Sequence, residues 1–209
     1  MIFTLKEKKD KLTEMVYKKS MIELSKFYGL NWIKNRPSII FVDTRKEINK
    51  LKSRKTEKWV IGWSERNKIF LLNPKKYKKE SNHKYFRKEF IALIKHELSH
   101  SFFSMKTRRA SYKPLWLNEG IAIFVSGQNK FKKKPEKFER VLSFYEEGGE
   151  GIYKESGFLI ELLLNKFGKA KLIKLIEDLE KINSRKEFEK LFKRIYGFEL
   201  NYEKINKIK

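Results

Sequence analysis

The chain has 209 residues, 40% of them hydrophobic, and no Pro-, Gly- or Ser-rich linker, which argues against wholesale disorder and against a division into independent domains. Its net charge is +24, yet 40 of its 50 basic residues are Lys, dispersed among Glu and Ile, as expected of a solvated surface more than of arginine-based base or phosphate recognition. It contains no cysteine, so disulfides, thiolate ligands and cysteine nucleophiles are excluded and any metal is left to His and carboxylates.

Met1-Ile2-Phe3-Thr4-Leu5 turns at once to Lys6-Glu7-Lys8-Lys9-Asp10, leaving no apolar stretch long enough for a secretory signal. No membrane span is expected either, since even Phe158 to Leu164 is broken by Glu161. A cytoplasmic protein with frayed Lys-rich ends is the expectation. Leu12, Met15, Val16 and Ile22 then fall at helical spacing in a first amphipathic helix that ends near Gly29. After Pro37, Ser38 to Val42 is a β-branched and aromatic run, and Thr44-Arg45-Lys46-Glu47 has capping-box spacing for a short helix. Lys58 to Trp63 and Lys68 to Leu72 read as an antiparallel pair joined through Ser64-Glu65-Arg66-Asn67, with one member possible at a sheet edge.

Asn73-Pro74 and the lysines after it predict a loop, followed by a long helix from about Tyr85 to Met105. Pro114 predicts the start of another helix, running to about Gly127. Beyond the break at Gly148 to Gly151, helices are expected near Tyr153 to Phe167 and Lys169 to Ile182, with Gly168 between them. Ser184-Arg185-Lys186-Glu187 is a second capping box, opening a helix with Phe188, Leu191, Phe192 and Ile195 on one face and Gly197 as its stop. The expected fold class is α+β in one domain over 1–209. An N-terminal α/β lobe reaches to about 110, with a helical lobe over about 111–209.

The chemistry lies in the long helix. His96-Glu97-Leu98-Ser99-His100 is an H-E-x-x-H motif, and positions four apart share one helix face, so both imidazoles can reach one ion. Glu97 is rotated about a quarter turn, able to reach a water on that ion without ligating it. Two imidazoles leave a catalytic zinc short of its usual three protein ligands. Trp116-Leu117-Asn118-Glu119-Gly120 offers a carboxylate in an apolar setting, eighteen residues beyond His100.

These motifs resemble the gluzincin zinc metallopeptidases, particularly the peptidase MA-like domains and the catalytic domain of the aminopeptidase N branch. The resemblance spans roughly Lys58 to Ile195 and is most specific between Ile91 and Val125. It implies a thermolysin-like fold, with a small sheet packed on the motif helix. It implies one zinc ion per chain, held by His96, His100 and Glu119, with Glu97 as general base for hydrolysis of peptide or unfolded-protein substrates. Tyr153, in Tyr153-Lys154-Glu155-Ser156-Gly157, is similar to the family's oxyanion-stabilising tyrosine, although Ser156 stands at the family's glycine position; a packing role for Tyr153 is the alternative. Gly62-Trp63-Ser64-Glu65-Arg66 departs from the family's Gly-x-Met-Glu-Asn segment, which favours internal cleavage over aminopeptidase action and leaves Glu65 as an exposed turn residue.

His83 reads as a surface histidine, and Trp32, Trp59, Trp63 and Trp116 as core. The competing functional reading is a basic nucleic-acid-associated binding protein whose zinc site is structural or vestigial. Under the peptidase reading, nucleic-acid binding is expected to be weak and non-specific. Glu97 separates the two, because hydrolysis needs a base beside the metal and a structural site does not.

Overall fold

A computed structural model describes residue 7 and residues 9–108, 110–149 and 151–209. Among these, eight α-helices and one three-stranded mixed sheet form an α+β architecture. No helix among them is long and apolar enough to cross a membrane.

Helix α1 (Lys11–Tyr28) is capped by the Asp10 side chain, which accepts from Thr13 N, and ends at Gly29 in the left-handed region. Its buried face is Thr13, Val16, Ser20, Met21, Leu24 and Tyr28, so the expected stripe is rotated: Met15 and Ile22 are exposed. Strand β1 (Ser38–Val42) leads to α2 (Arg45–Leu51), where Thr44 and Glu47 form the expected capping box. Strands β2 (Gly62–Glu65) and β3 (Lys68–Leu72) are joined by Arg66 and Asn67, both at positive φ as a two-residue hairpin requires. Strand order is β1-β3-β2, with β1 parallel and β2 antiparallel to the central β3, whose Ile69, Phe70, Leu71 and Leu72 are all buried.

The strand expected from Lys58 begins only at Gly62. Arg45 explains the difference: its guanidinium donates to the Val60 and Lys58 carbonyls at 2.8 and 3.1 Å, and the Trp59 carbonyl meets His83 Nε2 at 3.0 Å. Those acceptors serve side chains and are lost to a sheet ladder. The lysine-rich stretch after Asn73, expected to be a loop, contains a short helix, α3 (Tyr77–Glu80).

Helix α4 (Arg87–Lys106) carries the H-E-x-x-H motif and packs against α1, β2 and α5 (Leu115–Ser126). Ile94, Leu98 and Phe102 are fully buried along it, each contributing about 1.5–3 kcal/mol by leaving water. The Tyr28 hydroxyl lies 2.8 Å from Ser99 Oγ, which ties α1 to the middle of the motif.

Helix α5 lies close against α6 (Ile152–Asp178) because both present glycine at the contact. A Cβ on Gly120 would stand 2.7 Å from the Ser156 carbonyl oxygen, and one on Gly157 would collide with Ile123 and Asn129. Gly168 breaks α6 internally, as expected, with φ 79 and ψ 164. In α7 (Arg185–Tyr196), Ser184 accepts from Glu187 N, but the Glu187 carboxylate accepts from Asn183 N, one residue before the expected cap. Tyr196 is buried on its inner face, while Ile195 is only partly covered. The C-terminal lysine-rich segment, expected to fray, forms α8 (Tyr202–Lys207), anchored by the fully buried Ile205. The expected fraying over residues 1–6 lies outside the described residues.

Candidate metal centre

Helix α4 presents His96 and His100 one turn apart, and α5 brings Glu119 opposite them. Their nearest approaches are 3.1 Å between the two Nε2 atoms, 3.3 Å from His96 Nε2 to Glu119 Oε2 and 3.5 Å from His100 Nε2 to Glu119 Oε1. A tetrahedral ion with ligand bonds of about 2.0–2.1 Å separates neighbouring ligand atoms by about 3.3–3.4 Å. The three spacings bracket that value, so the group has the size to hold a small divalent cation.

Unmet bonding capacity supports the same fit. Glu119 Oε2 is buried without a hydrogen bond, its 3.3 Å approach to His96 being a contact of two ligand-type atoms. Such a buried oxygen is costly unless a cation, or a proton on His96, completes it. His100 Nδ1 lies 3.0 Å from Asn118 Oδ1, and an amide oxygen there makes Nδ1 the donor and leaves the Nε2 lone pair facing the group. His96 Nδ1 is buried with no hydrogen-bond partner.

Charge is balanced locally. Burial opposes ionisation of Glu119, but His100, His96 and Lys132 outweigh it and hold the carboxyl down at about 2. Burial likewise opposes protonation of His96, and the Glu119 and Glu97 carboxylates outweigh it and raise its pKa. Metal and proton therefore compete for His96. Glu97 is buried beside the pair but outside the three-residue group, and burial pushes its carboxyl up. The wall over it is Gly62 of β2, where a Cβ would stand 3.0 Å from Glu97 Oε1.

Two cavities, of about 600 and 990 Å³, meet at Trp59, Val60, Gly62, His96, Glu97 and Tyr153, forming one cleft with the motif at its waist. Tyr153 lines both halves, its ring edge-on to Trp59 at 6.1 Å. Burial, reinforced by the Glu119 and Glu97 carboxylates, raises its pKa and keeps the phenol protonated. Glu65 is exposed at the end of β2 and lines the larger half.

One expectation needs correction: Trp59 is half exposed on the cleft wall, outside the core, because β2 starts beyond it. His83 is partly exposed, as expected of a surface histidine, and bounds the smaller cavity with its Nε2 3.0 Å from the Trp59 carbonyl. Trp32, Trp63 and Trp116 are buried as expected. Lys132 went unnoticed inside its lysine run, yet it lines the smaller cavity and donates to the Tyr153 carbonyl at 2.8 Å. Burial lowers its pKa to about 8, against the pull of Glu119.

The α5 end of the site is built from a distance. Leu115 N and Trp116 N donate to the Tyr145 and Phe144 carbonyls, so the loop before α6 satisfies the open helix start that Pro114 leaves uncapped. The loop is held in turn by Glu155, whose buried carboxylate accepts from the backbone of Glu139, Arg140 and Val141.

Compared with protein families, curated proteins and solved structures, the chain matches none.

Proposed function

We propose that the protein is a zinc-dependent peptidase of thermolysin-like arrangement that cuts flexible polypeptides internally. The observation that carries this reading is the convergence of His96, His100 and Glu119 beside a buried, non-ligating Glu97 at the waist of an open cleft. Structural zinc sites are closed by four protein ligands, whereas three ligands facing a cleft suit catalysis. The small sheet packed on the motif helix through β2, with a helical remainder, supports the thermolysin-like comparison. Space on both sides of the site supports internal cleavage.

Zinc, when bound, supplies Lewis acidity and lowers the pKa of a water to about 7. Glu97 takes the proton of the attacking water on its carboxylate and passes it to the leaving nitrogen. Its burial beside the two imidazoles places it to carry that proton between the water and the leaving group. Tyr153 stays protonated and donates to the oxygen on which negative charge develops. Asn118 holds the His100 ring in register.

The test is zinc content of the purified chain together with cleavage of an unstructured protein before and after chelation. About one zinc per chain and cleavage lost on chelation are expected. Full cleavage by metal-free protein overturns the reading.

A further inference from the structure

The two halves of the cleft differ in chemistry. Trp59, Ile61, Leu93 and Phe131 wall the smaller one. The larger carries Lys52, Arg54, Arg66 and Lys113, and outside the Glu97 and Glu119 pair its single carboxylate among the described residues is Glu65. Burial and the Arg54 charge lower the Lys52 pKa, against the opposing pull of the Glu65 and Glu97 carboxylates. Lys52 lies 5.1 Å from the Trp63 ring centroid, and neither it nor Arg54 or Arg66 forms an ion pair among the described residues. Lys52 is half-buried, while Arg54 and Arg66 stand exposed on the wall of the larger half, where neighbouring like charges raise a positive potential and are stabilised by an incoming anion.

We propose that the substrate is an acidic polypeptide segment, with Asp or Glu side chains seated against Lys52, Arg54 and Arg66 on one side of the bond to be cut. The substrate assignment rests on the peptidase reading; the binding it predicts does not. A peptide is favoured over a nucleic acid by the Glu97 and Glu119 carboxylates at the waist. A phosphate backbone would bring unbroken negative charge past them, whereas a peptide carries neutral amides there and confines its charge to side chains.

The test is fluorescence anisotropy on the zinc-saturated Glu97→Gln chain, at about 150 mM salt, where the screening length is about 8 Å. The probes are a short, end-blocked peptide rich in Asp and Glu and its Asn and Gln isostere. The acidic peptide is expected to bind at least about tenfold more tightly. Lys52→Gln, Arg54→Gln and Arg66→Asn together should shrink that preference to about twofold, Asn being chosen because residue 66 has positive φ. Lys75→Gln, Lys78→Gln and Lys79→Gln, at exposed positions outside both cavities, should leave it intact. The proposal is overturned by absence of a preference, by equal loss in both triple variants, or by a single-stranded oligonucleotide that binds these residues more tightly than the acidic peptide. Because Glu97→Gln removes cutting, the binding result stands whether or not the wild type hydrolyses the peptide.

Discussion

Asn118 Oδ1 lies 3.0 Å from His100 Nδ1, so the turn of α5 that presents Glu119 also orients the imidazole opposite it. One residue fixes the histidine tautomer and the next supplies the carboxylate. A small rotation of α5 would therefore disturb two of the three candidate ligands together.

Asn118→Ala should lower zinc affinity by about 10- to 100-fold, the usual effect of removing an outer partner of a ligating histidine. Competition with a chromophoric chelator measures it. His100→Ala should lose the metal altogether under the same conditions, and unchanged affinity in Asn118→Ala would detach the amide from the site.

Glu155→Ala should destabilise the fold by about 3 kcal/mol in urea titration, because three backbone N–H groups of the loop at 139–141 lose a charged acceptor. Glu155→Gln keeps one carbonyl oxygen and should lose less. The loop also supports the start of α5, so zinc affinity should fall in Glu155→Ala while His96, His100 and Glu119 remain. A stability loss with unchanged zinc affinity would show that the loop does not support the site.

Local patterns carried much of the fold. The stop at Gly29, the box at Thr44 and Glu47, the paired runs around Arg66 and Asn67, and the break at Gly168 are all short-range signals, and the elements end where they point. Contacts between distant residues were not legible. Arg45 takes the carbonyls that would have extended β2, and nothing near Lys58 announces a partner thirteen residues earlier. At the site, His96 and His100 were readable from helical spacing, and Glu119 from the family resemblance, with its apolar frame as a weaker local signal. Lys132 was hidden by composition, being one lysine in a run whose neighbours Lys133 and Lys134 are exposed. Asn118 had a signal, its place beside Glu119, but only the fold brings it to His100 Nδ1.

Lys132 yields a prediction with a definite sign. Its folded pKa of about 8 lies below the usual lysine value of about 10.4. Below pH 8 both folded and unfolded chains are protonated there, and the cost of burying the charge is fully present. Between about 8 and 10.4 the unfolded chain binds more protons, so this residue makes stability rise with pH. In urea titrations of metal-free protein, Lys132→Met should compare best with wild type at pH 7 and lose ground by about pH 10. A difference that moves the other way would contradict the burial of this ammonium.

Tyr153→Phe removes a hydroxyl at the cleft waist and nothing else. Hydrolysis of an accepted peptide should drop by about 10- to 1000-fold in kcat, with zinc content unchanged, since one oxyanion donor is lost while the metal remains. A rise in KM with kcat intact would place Tyr153 in substrate packing against Trp59 instead.

The most direct measurement of the central claim is the cleavage rate of an unstructured acidic protein by zinc-loaded wild type and zinc-loaded Glu97→Gln, with metal content assayed in the same samples. Glu97 is buried beside His96 and His100 without joining the group that can hold the ion, so the substitution should leave zinc and fold in place. Cleavage should fall by about 100- to 10,000-fold, the contribution of general-base catalysis. Equal rates in the two proteins, with zinc bound in both, would contradict the proposed chemistry.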